Sequence, residues 1–140
     1  MHGVNASAGK MVNITLLLRT LVGKSSPRVV MIVRHLQLAH LLGYVGLSAE
    51  YDNDFYVALG DKYKLHTQEE RASLLIMNPC ESGSAAFCEV IAWVMANIAA
   101  EKRGGALDAV DCNTLLEQVM SMRGAMLSLF DIISEPIPFA

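Results

Sequence analysis

Apolar residues recur along this chain at steps of three and four, separated by short polar or Gly- and Pro-bearing breaks, the signature of amphipathic helices rather than strands. Ile14, Leu17, Leu18 and Leu21 share one face of a first helix predicted from Met11 to Val22. The Gly23–Pro27 break ends it and opens the next helix, with Ser26 as cap and Pro27 at the first helical position. That second helix, Arg28 to Leu42, carries a stripe of Val29, Ile32, Val33, Leu36 and Ala39. A third helix, capped by Ser48, stacks Tyr51, Phe55 and Leu59 at steps of four and turns Glu50, Asp52, Asn53 and Asp54 to water. Thr67 and Glu70 form a capping box for a short fourth helix bearing Leu74, Leu75 and Met77, which Asn78-Pro79 terminates.

The most apolar helical segment is Ala85 to Ala100. Phe87, Val90, Ile91, Val94 and Ile98 form its main stripe, while Cys88, Ala92, Met95, Ala96 and Ala99 leave little of the rest polar. A helix apolar nearly all round is expected to be buried on most sides, so the pattern predicts a central strut. Ser82 or Ser84 suits its start, Lys102 and Arg103 suit its negative C-terminal end, and Gly104-Gly105 stop it. From Leu107 to Ile133 the stripe Leu116, Val119, Met120, Met126, Leu127, Phe130 and Ile133 predicts one long helix or two, and Arg123-Gly124 favours a break.

These elements predict an all-α fold: one helical bundle of six to seven helices around a central hydrophobic helix. Residues 1–10, small and polar, read as a flexible lead-in, 11–134 as the domain, and 135–140 as a tail that cannot continue a helix.

Composition adds an apolar surplus: 53% of residues are hydrophobic, with a mean hydropathy of +0.36. A chain of 140 residues cannot hide all of that, so an exposed apolar groove, a homodimer, or both are expected. Asn13, Arg19, Glu89 and Asn97 interrupt the longest apolar runs, which argues against an integral membrane anchor. The opening residues lack the charged-then-apolar order of a secretory leader, so a cytoplasmic location with Cys80, Cys88 and Cys112 as reduced thiols is expected.

Most chemistry fails on inspection. His35 and His40 stand five apart, on different helix faces, with no further ligands to make a zinc set. Asp52 and Asp54 begin like a calcium loop, but Val57 sits where that loop needs Gly and Tyr63 where it needs Glu. Cys80 near the start of the apolar helix has His66 as its one conceivable partner, with no oxyanion device in sight. No enzyme activity, metal or cofactor is expected. A net charge of -3 without a basic stripe, and acids in the only helix-turn-helix-like stretch, argue against nucleic acid. What remains is protein recognition through a groove that accepts an amphipathic helix.

Two stretches resemble motifs of the Bcl-2 family. Cys80-Glu81-Ser82-Gly83 followed by Val90-Ile91-Ala92-Trp93 is similar to its first homology motif, and Arg123 to Phe130 to its second. Tyr51, Phe55 and the Leu65-His66-Thr67 connection sit where the family has groove aromatics and a like connection, so the resemblance covers roughly residues 45–133. Two departures stand out: Glu89 occupies the place of the family's groove Arg, and Met126 replaces the usual Trp. Such erosion resembles that of virus-encoded, anti-apoptotic members.

The resemblance implies an inhibitor of apoptosis that binds the BH3 helix of pro-apoptotic Bcl-2 proteins, in the host cytoplasm and associated with mitochondria through its partners. It implies a BH3 groove with Tyr51, Phe55 and Leu59 on one wall, Leu75 on another, Ile91 and Ala92 on the floor, and Glu89 in place of the anchoring Arg. Spacing alone reads the same apolar residues as ordinary core. The alternative is a helical adaptor that engages signalling proteins through surface faces; an open apolar channel beside the central helix distinguishes the two.

Overall fold

The computed structural model describes residues 2–134, with side-chain surroundings given for 7–128. About 75% is helix, without strands among the described residues. Six α-helices follow in order: α1 (His2–Leu18), α2 (Pro27–Leu42), α3 (Asn53–Lys62), α4 (Gln68–Ile76), α5 (Ala85–Arg103) and α6 (Ala109–Ser134). A π-helical turn, Arg19–Gly23, extends α1 and ends with Gly23 at φ +125, a conformation open to glycine. The all-α bundle expected from the periodicity is therefore the observed architecture.

Four long helices make the bundle: α1 packs on α6, α6 on α5, α5 on α2 and α2 on α1, with α3 against α2. On α6 the buried positions Cys112, Leu115, Val119, Met122 and Met126 alternate by three and four, the seam of near-parallel helix packing. Ser7, Ile14 and Leu18 follow the same rule on α1.

Local signals work as the sequence suggests at several ends. Ser26 accepts from the Val29 amide with Pro27 in the first turn; the Thr67–Glu70 capping box is complete; Lys102 and Arg103 occupy the last turn of α5 before Gly104. Elsewhere the structure departs. Helix α1 starts at His2 rather than Met11, because Ala6 and Ala8 favour helix and Ser7 is fully buried, so 2–10 are helical instead of a loose lead-in. The cap of α3 is Asp52, whose Oδ1 accepts from the Phe55 amide at 2.9 Å, not Ser48. Helix α6 runs unbroken through Gly124, whose exposed position meets no neighbour. The ~1 kcal/mol propensity cost of glycine is outweighed by burial of Met122 and Met126 on either side. The side chains of Phe130 and Ile133, and residues 135–140, lie outside the described residues.

The largest correction concerns the hub. Helix α5 buries Phe87, Val90, Ile91, Val94 and Ile98 but leaves Ala85, Glu89, Ala92 and Ala96 exposed along one stripe. Alanine counts as apolar, yet its single methyl costs little to leave in water. The more enclosed helix is α2: Val29, Ile32, His35, Leu36, Leu38, Ala39, Leu41 and Leu42 are buried over an arc of about 240°, leaving one face open. Its C-terminal end is pressed so closely on α6 that a Cβ on Gly43 would lie 2.6 Å from Met126 Sδ.

Candidate functional site

The short helices are anchored by two polar clusters that together set the shape of the surface beside α2. In the first, Glu70 accepts from the Arg34 guanidinium through both oxygens, from His35 Nε2 at 2.6 Å and from the Thr67 amide at 2.8 Å. Burial pushes the Glu70 carboxyl up, but the donors from Arg34, Thr67 and His35 prevail and hold it at about 2. Arg34 also donates to the Leu65 carbonyl at 2.9 Å, so one arginine on α2 ties down both the α3–α4 connection and α4 itself.

In the second cluster, Asp61 accepts from His66 Nε2 at 2.7 Å, which leaves Nδ1 to accept from the Tyr56 hydroxyl at 2.9 Å. Hydrogen bonding by His66 holds the Asp61 carboxyl below its usual range, and burial holds the Tyr56 phenol well above its own. Arg71 completes the set with Asp61 at 3.1 Å. The imidazole lies directly over Gly60, where a Cβ would come within 2.3 Å of it, so glycine is required there for space. Both ring nitrogens of His66 are thereby committed, and the Cys80–His66 pairing considered from sequence does not form. The Cys80 amide instead bonds Asn53 Oδ1 at 2.9 Å. Among the described residues no three His, Cys, Asp or Glu side chains converge as a metal site requires.

With α3 clamped in this way, an open, mainly apolar groove of about 370 Å³ remains between α2 and α3. Gln37, His40, Leu41 and Tyr44 line it from α2 and its C-terminal extension, and Tyr51, Phe55 and Leu59 from the α3 side. The aromatic rings form a row: His40 to Tyr44 at 5.2 Å, Tyr44 to Tyr51 at 6.1 Å, and Tyr51 to Phe55 at 4.8 Å between centroids. His40 Nε2 meets the Tyr44 hydroxyl at 3.3 Å, while its buried Nδ1 has no partner.

Of the site residues expected from sequence, Tyr51, Phe55 and Leu59 come together here and the others do not. Leu75 is 36% exposed on α4 and does not line this groove. Ile91 is buried in the core at 2% exposure, and its neighbour Ala92 faces solvent. Glu89 is exposed on α5 and accepts from Trp93 Nε1 at 3.1 Å. The floor of this groove is α2, and the α5 residues expected as a floor lie outside it. Sequence reasoning missed Gln37, His40, Leu41 and Tyr44 because only the more apolar stripe of α2 was taken as informative. Their own spacing of three and four, with Val30 and Val33 on the same side, marks a second stripe on α2 that the bundle leaves open, with Val30 58% exposed.

His35 is buried and His40 partly so, and desolvation lowers the pKa of each from the ordinary 6.5, for His35 against the opposing pull of Glu70. The unfolded chain then binds more protons than the folded one just below that value, so stability is lost as pH falls. A melting temperature that declines from pH 7.5 to 5.5 is the expected outcome in a thermal scan. An unchanged one contradicts the neutral assignment of this pair.

Comparison of the chain with protein-family models, curated proteins and solved structures finds no match.

Proposed function

We propose that this protein is a non-enzymatic binding module that takes an amphipathic helix into the α2/α3 groove. The observation that carries the reading is the groove itself, an aromatic and aliphatic cleft of about 370 Å³ open to solvent on a well-packed bundle. Together with the Bcl-2 resemblance, this makes BH3 helices of pro-apoptotic proteins the partners to test, and inhibition of apoptosis by sequestering them the consequence. Because the groove lies along α2 and holds neither Glu89 nor a substitute arginine, anchoring rests on apolar contacts, and a narrow range of partners follows. Calorimetric titration with a panel of BH3 peptides is expected to give saturable heat with at least one of them; none with any peptide rules the reading out.

The neighbouring α1/α2 cleft, which Val12 and Leu16 help to line, bears on self-association. Val12 at 52% and Leu16 at 57% exposure stand out from α1, and Met120 at 44% from α6. Light scattering at micromolar concentration is expected to report a mass above 15.2 kDa. A strictly monomeric mass removes the homodimer from the account.

A further inference from the structure

The α2/α3 groove continues beyond its own walls. Gln37 lines it and also lines the neighbouring cleft between α1 and α2, where Val33 forms part of the floor and Arg19 stands at the rim. At 100° per residue, Val33, Gln37, His40, Leu41 and Tyr44 fall within an arc of about 100° on α2, so the two clefts form one trough along a single helix face. From Val33 to Tyr44 it runs about 16 Å, three turns of a bound helix.

The ends of this trough differ in charge. Helix α3 runs antiparallel to α2: Tyr51 meets Tyr44 at one end, and Arg34 reaches the Leu65 carbonyl at the other. Exposed Glu50, Asp52 and Asp54 therefore flank the Tyr44 end, whereas Arg19 stands at the Val33 end with Lys62, in the last turn of α3, toward the same side. A helix carries partial positive charge at its N-terminus and partial negative charge at its C-terminus.

Resting on the groove reading above, we infer that the trough takes an amphipathic helix of about three turns in one direction. Its basic N-terminal turn lies over the Glu50–Asp54 end and its acidic C-terminal turn lies toward Arg19. The partner is thus a helix with graded charge, basic then acidic, on an apolar stripe. The polarity depends on acids that flank Tyr51 and on an arginine in the π-helical turn after α1, and no charged side chain on the trough floor takes part.

The test uses two stapled helical peptides with identical apolar anchors and helicity matched by circular dichroism, one basic-to-acidic and the other acidic-to-basic, titrated by fluorescence anisotropy. The first is expected to bind about tenfold more tightly at low salt, with the difference shrinking toward parity at high salt. It is also expected to shrink in the E50Q/D52N/D54N variant, in which asparagine preserves the α3 cap, with folding checked by circular dichroism. A nitroxide on the N-terminus of the tighter peptide should broaden amide signals around Tyr51 rather than around Arg19. Equal affinities, a reversed preference, or broadening at Arg19 overturns the inference while leaving the groove reading intact. Binding of neither peptide removes both, as does a dimer in which a second copy of the chain seals the trough.

Discussion

Replacing Glu70 with alanine is expected to destabilise the protein by about 2–3 kcal/mol, lowering the melting temperature by about 10 °C. One carboxylate meets Arg34, His35 and the Thr67 amide, so its loss strands a guanidinium in a partly buried site, removes the acceptor of a buried imidazole and opens the capping box. The effect falls short of the 3–5 kcal/mol typical of a broken fully buried pair because Glu70 keeps 19% of its side chain in water. Glu70→Gln retains an amide oxygen for the Thr67 cap and should lose roughly half as much. Denaturant titration decides: an alanine variant within about 0.5 kcal/mol of the parent means the cluster does not hold α4 in place. The pH dependence has the same source. The Glu70 carboxyl sits near 2 instead of 4.5 in the folded state, so its stabilisation is present above 4.5 and lost as pH falls toward 2.

The second large effect concerns binding. Phe55→Ala should weaken a groove-bound helix by about 30-fold, roughly 2 kcal/mol, because an aromatic anchor in the middle of a cleft carries a disproportionate share of affinity. Phe55 is half-buried and its ring meets that of Tyr51 at 4.8 Å, tilted by 45°, so its loss also opens the aromatic row. Leu75→Ala and Ala92→Glu should leave affinity unchanged, since neither residue lines the groove. That contrast is informative in both directions. Weakened binding in the Leu75 and Ala92 variants as well as in Phe55→Ala extends the site over α4 and α5 as the family resemblance implies.

The bundle was legible in the sequence where a local rule acts alone. Ser26-Pro27, Thr67 with Glu70, and Gly104-Gly105 place helix ends by hydrogen bonding and backbone freedom that need no tertiary partner. Legibility failed where packing decides. Gly124 reads as a break, yet Met122 and Met126 bury against the bundle and carry α6 through it. Helix α5 reads as the hub because alanines count as apolar, whereas the enclosed helix is α2, whose Arg34, His35 and Gln37 make it look more polar. Those polar residues are accounted for by Glu70 and by the groove.

The candidate site divided in the same way. The Tyr51, Phe55 and Leu59 stripe was visible as a spacing of four, and it lines the groove. Across this groove the facing wall is α2, whereas the resemblance implies α4 and α5. The reason is the clamp: His66 over Gly60 and Arg34 on the Leu65 carbonyl draw α3 and its connection against α2. No pattern in the sequence signals that Gly60 must accommodate an imidazole six residues on.

The most direct test of the central claim is amide chemical-shift mapping of the isotope-labelled protein during titration with a BH3 peptide that binds. The largest perturbations are expected at Gln37, His40, Tyr44, Tyr51 and Phe55. Perturbations centred on Glu89, Ala92 and Ala96 of α5, with the α2/α3 groove silent, would contradict it.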